Sequence, residues 1–515
     1  MEKFNVIYAV IATVMYLIVA KYDIHMFQLN SYRYSRYFRW LAPENIVSTK
    51  RVFALLALVS AFLPDYYGLG CLSGITVVAL LHALREKFKT PLVFTMRVKR
   101  LFATNIALFA IAAILSMLFA DTYAKIIIGV LLTLSNLIML LANLINTPIE
   151  KGINRHYYND AKNIIRSHKG LIIIGVTGSF GKTSTKNYLA SLLAEKYNVL
   201  VTPGNFNTLL GVVRTVREQL RPYHQVFIVE MGAKQPNDIK EICDLVEPTI
   251  GIVTAVGEMH LETFKCVENI QKTKFELIDS LPANGLGVIN YDSQLIREYK
   301  GCTSPCKMLK YGVEQKADFC ATDIIYNGSG VSFIQGDDRF ESRLLGRGNL
   351  LNILASIAVA DYLGVPRNKQ RNAIARLQPV EHRLSMSRTG GLTILDDAYN
   401  SNPMGAQMAL EVLKNFCVGE GNKRIIVTPG FVEMGSRQAD ANRELGRTIA
   451  SCADYAIVVN ATNREAIKGG IDEGGMSADK IFLADSLAEA RAHMATILKV
   501  GDVVLYENDL PDNFK

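Results

Sequence analysis

Residues 171–186 read LIIIGVTGSFGKTSTK, and the division of this run decides the fold. Leu171 to Ile174 form an apolar strand signal that runs into Gly175. Gly178-Ser179-Phe180-Gly181-Lys182-Thr183 then breaks the strand, and a helix-like apolar spacing follows. Strand, tight turn and helix start in this order suit a phosphate. Glycines let the backbone wrap the anion where a side chain would clash, and the first N–H groups of a helix attract negative charge. Gly178, Ser179 and Gly181 are therefore assigned to the cradle. Lys182 reaches the outer phosphates, and the hydroxyl of Thr183 or Ser184 suits Mg²⁺. The spacing is not that of the common Walker A loop, which would need a glycine where Val176 stands. A bare glycine turn with a surface lysine would not need the strand before it and the helix after it.

The chain of 515 residues is long enough for several domains. Half of the residues are hydrophobic, and the mean hydropathy of +0.17 owes its sign to the first 150 residues. The net charge of +8 lies largely in short loops between apolar runs, which points away from a nucleic-acid partner. Of eight cysteines only Cys302 and Cys306 are close in sequence. No second pair or nearby histidine completes a zinc site, so reduced thiols are expected.

The apolar runs predict an all-helical transmembrane region over 1–150. Phe4–Ala20 reads as one span, Val52–Leu84 as a hairpin of two broken at Pro64-Asp65, and about 101–120 and 124–145 as two more, each about the length a bilayer requires. Lys21, Arg33, Arg36, Arg39, Lys50 and Arg51, and then Arg85, Lys87, Lys89, Arg97, Lys99 and Arg100, mark two cytoplasmic loops. Five spans put the N-terminus outside and residues beyond 150 in the cytoplasm, with a re-entrant hairpin and three spans as the alternative. The expected localisation is multi-pass in the cell membrane, and Asn146–Gly170 reads as a tether.

Beyond the glycine loop, strands alternate with helical patterns, which predicts a mostly parallel α/β sheet with its sites at the carboxyl ends of strands. Val226–Val229 ends at Glu230, and Ile250–Thr254 leads to a loop bearing His260 and Glu262. With Lys182 and Thr183 these residues predict a magnesium–phosphate site. A hairpin is expected around Gly328 and Gly330, and a helix over 351–363 ending at Gly364. From 385 onward, strands at 392–395, 424–428, 455–459 and 502–506 predict a second α/β unit.

Ordered motifs carry a family resemblance. They are Thr177–Lys186, Gly204-Asn205-Phe206-Asn207-Thr208, Glu230-Met231-Gly232-Ala233, His260-Leu261-Glu262, Lys272–Glu276, Gly346–Asn352, Arg383-Leu384 and Asp396–Pro403. Over some 340 residues the chain resembles the Mur ligase family, and within it the members that add D-alanyl-D-alanine to a UDP-muramoyl tripeptide. The resemblance implies a P-loop-type ATP-binding central domain over 151–384, a Rossmann-like C-terminal domain over 385–515, and an ADP-forming carboxylate–amine ligase using ATP and Mg²⁺. It assigns Lys182 to the β/γ-phosphates and Thr183 and Glu230 to one Mg²⁺. His260, a second-metal ligand by resemblance, is also a candidate base, a role that metal ligation would remove. Lys274 matches a lysine that acts as a carbamate, and Asn349 and Asn352 match residues near adenine. Arg383 matches a hinge arginine that reaches the phosphates, and Asp397 and Asn400 match nucleotide contacts. Lys182, His260, Lys274 and Arg383 are the implied catalytic set.

Two departures stand out. Gly348 replaces the histidine that precedes the first asparagine of the motif in many relatives, so a looser adenine pocket is expected. Tyr506-Glu507-Asn508-Asp509 stands where relatives often carry Lys-Gly-Ser. Relatives also begin with a UDP-binding domain, for which this chain substitutes apolar segments. The main expectation is accordingly addition of an amino acid or dipeptide to a lipid-linked or membrane-embedded carboxylate, with membrane lipids and envelope-synthesis proteins as partners. The alternatives are the UDP-muramoyl tripeptide reaction, a poly-amino-acid synthase and a non-catalytic ATP-binding scaffold.

Overall fold

The structure is a computed structural model that describes residues 2–41, 48–86, 88, 90–399, 402–416 and 418–510, with 2–5 as backbone only. It forms two units, one running to His156 and the other spanning Tyr157–Leu510.

In the first unit every element is helical: Glu2–Leu29, Tyr34–Trp40, Thr49–Ser60, Asp65–Arg85, Met96–Ser116, Asp121–Thr133 and the start of Ser135–Ser167. These helices do not reproduce the five expected spans. Thr49–Ser60 has 12 residues, too few to cross a bilayer core of ~30 Å. The last expected span is broken near Leu134 and bent by 71°. Among the described residues three helices are long and apolar enough to cross a membrane, or up to four if the bent pair counts as one. Charges within and between the expected spans are paired inside the fold. Lys125 is buried and pairs with Asp65 at 2.6 Å. Buried Asp23 accepts from Ser135 Oγ at 2.5 Å and faces Arg51 at 3.9 Å. Lys50 pairs with Glu86, and Arg100 donates two bonds to Glu150. The region is a helical globular unit that closes on buried ion pairs and two apolar clusters of its own. This corrects the five-span transmembrane reading, and the multi-pass cell-membrane localisation derived from it falls too. Lys87 and Lys89, counted in one of the loops, lie outside the described residues.

Helix Ser135–Ser167 runs through most of the expected tether, and its final turns, within the second unit, bury Ala161 and Ile165 against Val212, Val216 and Phe227.

The second unit holds three sheets. The first contains β1 (Ile172–Thr177), β2 (Val199–Val201), β3 (Val226–Glu230), β4 (Ile250–Val253), β5 (Leu286–Asn290), β6 (Lys307–Gly312) and β7 (Phe319–Cys320) in the order β2-β3-β1-β4-β5-β6-β7, all parallel. These strands are apolar on both faces, as a sheet covered by helices on both sides requires. The chain goes from β1 to β2 and β3 on one side, then crosses to β4 on the other. The crevice for a ligand therefore opens beside β1, where the winding reverses.

The second sheet is the antiparallel set β8 (Thr322–Asn327), β9 (Gly330–Gln335) and β10 (Asp338–Ser342), whose first turn is the expected hairpin. The third contains β11 (Ser385–Thr389), β12 (Leu392–Asp397), β13 (Arg424–Thr428), β14 (Tyr455–Val459), β15 (Ile481–Ala484) and β16 (Val503–Glu507), ordered β11-β12-β16-β13-β14-β15 with only β11 antiparallel. The helix expected over 351–363 begins earlier and spans Gly346–Tyr362, and Gly364 follows it at φ +68°.

Candidate functional site

Residues 178–183 turn off the end of β1 into helix Lys182–Leu193. Gly178 (φ +151°) and Gly181 (φ +79°) hold backbone conformations that side chains disfavour. A Cβ at Gly178 would lie 2.1 Å from Thr254 Oγ1, and one at Gly181 would lie 2.6 Å from Asn352 Oδ1. The loop is thus packed too closely on Thr254 and Asn352 to admit a Cβ, and its backbone, turning into a helix N-terminus, fits a phosphate chain. Ser179, assigned to the ligand from sequence, is buried and exchanges two 3.0 Å hydrogen bonds with the backbone of Gly257. Its hydroxyl ties the loop to the strand-end loop after β4. Lys182 Nζ donates to Gly178 O at 2.7 Å, so the ammonium arches over the cradle. Burial, with a smaller contribution from the Arg383 cation, lowers its pKa to about 8 despite the opposing pull of Glu230.

Glu230 ends β3 and is 2% exposed. Its Oε1 accepts from Thr183 Oγ1 and from Asn207 Nδ2, each at 3.1 Å. Its Oε2 lies 3.0 Å from Lys186 Nζ, which also donates to Thr202 O and Gly204 O at 2.9 and 2.8 Å. Burial alone would raise the pKa of Glu230, but Lys186, Lys182 and Asn207 outweigh it and hold the carboxyl below its ordinary range. One carboxylate and one hydroxyl beside a phosphate cradle are hard oxygen donors. They fit Mg²⁺, which keeps much of its water and takes few protein ligands. Among the described residues no group of three or more His, Cys, Asp or Glu side chains is placed to hold a metal.

His260 and Lys274 approach from the next elements. His260 starts the short helix Leu261–Phe264 at φ +52°, and its Nδ1 is bonded to Glu433 of the loop after β13. Burial lowers the imidazole pKa, against the pull of Glu433. Lys274 lies within helix Val267–Asp279 and is 3% exposed. Burial, and then the Lys182 cation, lower its pKa to about 7. The structure therefore gathers Lys182, Thr183, Glu230, His260 and Lys274 around the ends of β1, β3 and β4.

Arg383 follows the central sheets and stacks its guanidinium 4.2 Å from the centre of the Tyr399 ring. Burial lowers its pKa, opposed by Asp397, Tyr399 and Glu230. Asp397, at the end of β12, accepts from Leu384 N at 3.0 Å, and burial raises it to about 6 against the pull of Arg383. Tyr399 Oη in turn accepts from Asn205 Nδ2 at 2.7 Å. Asn400 lies outside the described residues.

Other sequence-assigned groups are turned inward. Asn349 Oδ1 accepts from Tyr188 Oη at 2.8 Å, and Asn352 Oδ1 accepts from Thr185 Oγ1 at 3.1 Å. Both asparagines bind helix Lys182–Leu193 to helix Gly346–Tyr362, and Ser184 is buried on the first of these helices. At position 348, where the ring is missing, Met408 Sδ stands 3.1 Å from where a Cβ would be. A cavity of about 520 Å³ opens beside it, lined among others by Tyr326, Leu345, Arg347, Met408, Val412 and Phe416. Glu507, in the departing C-terminal segment, is fully buried and accepts from Thr428 Oγ1 at 2.9 Å.

Sequence reasoning quoted Lys186, Asn207 and Glu433 within motifs but gave no role to the first two and did not pair Glu433 with His260. For Lys186 a signal existed: it lies four residues after Lys182 and so on the same helical face. For Glu433 the family resemblance of Glu433-Met434-Gly435 placed its loop near the cleft, but nothing local pairs it with His260, 173 residues away.

Residues 176–360 match the Mur ligase middle domain, and 382–506 match the Mur ligase glutamate ligase domain. The chain is 30% identical over 359 residues to the UDP-N-acetylmuramoyl-tripeptide D-alanyl-D-alanine ligase of Mycobacterium tuberculosis, covering 65% of this chain and 70% of that one. It is 29% identical over 285 residues to the enzyme of that name from Bacillus subtilis, of which it spans 61%. Its structure resembles the MurF ligase of Thermotoga maritima solved with ADP, with a TM-score of 0.60 and 29% identity over 69% of this chain and 80% of that one. These similarities correct the expected partners. The lipid-linked or membrane-embedded acceptor and the membrane lipids rested on the span count, and the matched relatives are named for a UDP-linked one.

Proposed function

We propose, from the premise that the chain belongs to the Mur ligase family, that it is an ADP-forming ligase joining D-alanyl-D-alanine to a UDP-N-acetylmuramoyl tripeptide. The family's members are ATP- and magnesium-dependent acid–amine ligases, and the likeness to relatives named for this reaction supports the finer assignment. The observation that carries the reading is Thr183 bonded to Glu230 under the glycine cradle, with Lys182 above it.

In the reaction an acceptor carboxylate oxygen attacks the γ-phosphorus of ATP, and ADP leaves. The dipeptide amine, having lost a proton, adds to the acyl phosphate, and the tetrahedral intermediate expels phosphate to give the amide. The first step brings two anions together, so Lys182 and Arg383 serve to neutralise the transferring group. Thr183 and Glu230 would hold one Mg²⁺, and His260 and a Lys274 carbamate a second. Bound magnesium supplies charge neutralisation to the phosphates. Asp397 and Tyr399 hold Arg383 in place, and the Tyr399–Asn205 bond ties the C-terminal sheet to the central one. The two sheets close over the acyl phosphate and keep water from it.

The full chain, given ATP, Mg²⁺, the UDP-linked tripeptide and D-alanyl-D-alanine, is expected to release ADP and to form a product heavier by one dipeptide residue, read by mass spectrometry. Repeated addition of a single amino acid would favour the polymerase reading, and ATP binding without turnover the scaffold reading. Either would overturn this assignment.

Lys274 gives a second expected result. With its pKa near 7, about half the amine is neutral at pH 7 and can add CO₂. The carbamate is an anion beside Lys182, which relieves the repulsion between the two cations. ¹³C-bicarbonate is expected to give a carbamate resonance that is absent in Lys274→Ala and fades as pH falls below about 7, where the amine is protonated. A resonance indifferent to the substitution would count against the role.

A further inference from the structure

We propose that Glu433 is a positioning residue for His260, so that the C-terminal sheet domain fixes which imidazole nitrogen is free to bind a metal. The inference rests on the reading of His260 as a metal-side ligand. A carboxylate only accepts hydrogen bonds. The bond between His260 Nδ1 and Glu433 therefore places the proton on Nδ1 and leaves the lone pair on Nε2. This is the arrangement by which second-shell carboxylates orient ligating histidines.

The backbone supports the same assignment independently. His260 and Glu433 both adopt positive φ, +52° and +62°. Such conformations are strained and persist only where their surroundings enforce them. Here each loop enforces the other. Glu262 N donates to Glu433 O at 3.3 Å. Gly435, at φ +59°, brings its backbone against Glu262, whose Cα lies 3.7 Å from where a Cβ at 435 would be. Arg437 lies 3.7 Å from Glu258. Leu261 and Phe264 share one apolar cluster with Phe431 and Met434. The two strained loops interlock, and the point of contact is the histidine–carboxylate bond.

A consequence follows for coupling. The carboxylate belongs to the domain that also supplies Asp397 and Tyr399, so docking of that domain and the metal affinity of His260 share one free energy. Each favours the other by the same factor.

The test uses the full chain, Mn²⁺ as the probe and a non-hydrolysable ATP analogue. Ring-¹⁵N NMR of the metal-free protein, with His260→Gln to assign the signals, is expected to show His260 as the Nδ1–H tautomer. Pulsed EPR is expected to show nitrogen coupled to Mn²⁺ in the wild type. Glu433→Ala should lose that coupling and weaken the histidine-ligated Mn²⁺ about 10- to 100-fold. Glu433→Gln keeps an acceptor oxygen and should retain most of the affinity. An Nε2–H tautomer in the wild type overturns the proposal, as does Glu433→Ala with unchanged Mn²⁺ coupling and affinity. If Glu433→Ala does not fold, the wild-type tautomer and Glu433→Gln decide. Wild-type Mn²⁺ binding without nitrogen coupling would instead remove His260 from the metal, a failure of the underlying reading and distinguishable from the others.

Discussion

Lys186→Met is expected to cost the Tyr157–Leu510 unit about 3–5 kcal/mol, the usual penalty for removing one partner of a buried ion pair. Lys186 and Glu230 are 1% and 2% exposed, so water cannot take over the role of the missing cation. The substitution also strips a donor from Thr202 O and Gly204 O, on the loop whose Asn207 and Asn205 reach Glu230 and Tyr399. The uncompensated carboxyl of Glu230 will rise in pKa, because burial then prevails over its remaining partners. Denaturant unfolding measures the loss. The double variant Lys186→Met/Glu230→Gln should recover most of it, since replacing both members of a buried pair is often neutral. Turnover should stay abolished in the double variant, because the magnesium-side carboxylate is gone. A single variant within about 1 kcal/mol of wild type, the range of an exposed pair, would show that the ion pair does not hold the site together.

Lys182→Met is expected to behave in the opposite way. Turnover should fall at least 10²- to 10³-fold, the typical loss when one preorganised group facing developing charge is removed. Stability should not fall and should rise. The Lys182 cation is held at a pKa of about 8, well below the ordinary lysine value of 10.5. Its charged form is therefore disfavoured in the folded chain. The sign follows. Below pH 8 the group is charged in both the folded and unfolded states, and the penalty removed by the substitution is complete. Between 8 and 10.5 the penalty shrinks, and above 10.5 it vanishes. The stabilisation of Lys182→Met over wild type should accordingly be greatest at neutral pH and disappear in alkali. ADP release under saturating ATP, with melting curves across that range, checks both halves. Wild-type turnover in a folded Lys182→Met protein would remove Lys182 from the chemistry.

Two lysines four residues apart on one helix thus have different work. Lys182 lies over the cradle, where an anion would meet it. Lys186 is turned into the protein beneath Glu230 and acts as a fixed internal counter-ion. Helical spacing alone places both on one face, but not the depth at which each amine ends.

The glycine cradle, the strand ending in Glu230, the hairpin at Gly328 and the second α/β unit were all legible in the sequence. Each is written in neighbouring residues: alternation or runs of apolar residues for strands, a 3.6-residue spacing for helices, glycines where φ must be positive. The inward turn of Ser179, Asn349 and Asn352 was not legible. A polar side chain near a ligand motif looks alike whether it faces the ligand or satisfies a neighbouring helix. The span count failed for a related reason. Hydropathy averages Lys125 into an apolar run and leaves Asp23 outside one, whereas the fold buries both against partners distant in sequence, Asp65 and Ser135.

The sequence by itself determined the phosphate cradle, a mostly parallel sheet to present it, and the family to which the chain belongs, because local backbone preferences and short motifs carry that information. Only the tertiary structure decided which charges are paired and where protons sit. Lys186 meets Glu230 across 44 positions, and Glu433 meets His260 across 173. Such contacts follow from how sheets and loops pack, and their energies follow from the burial that packing creates.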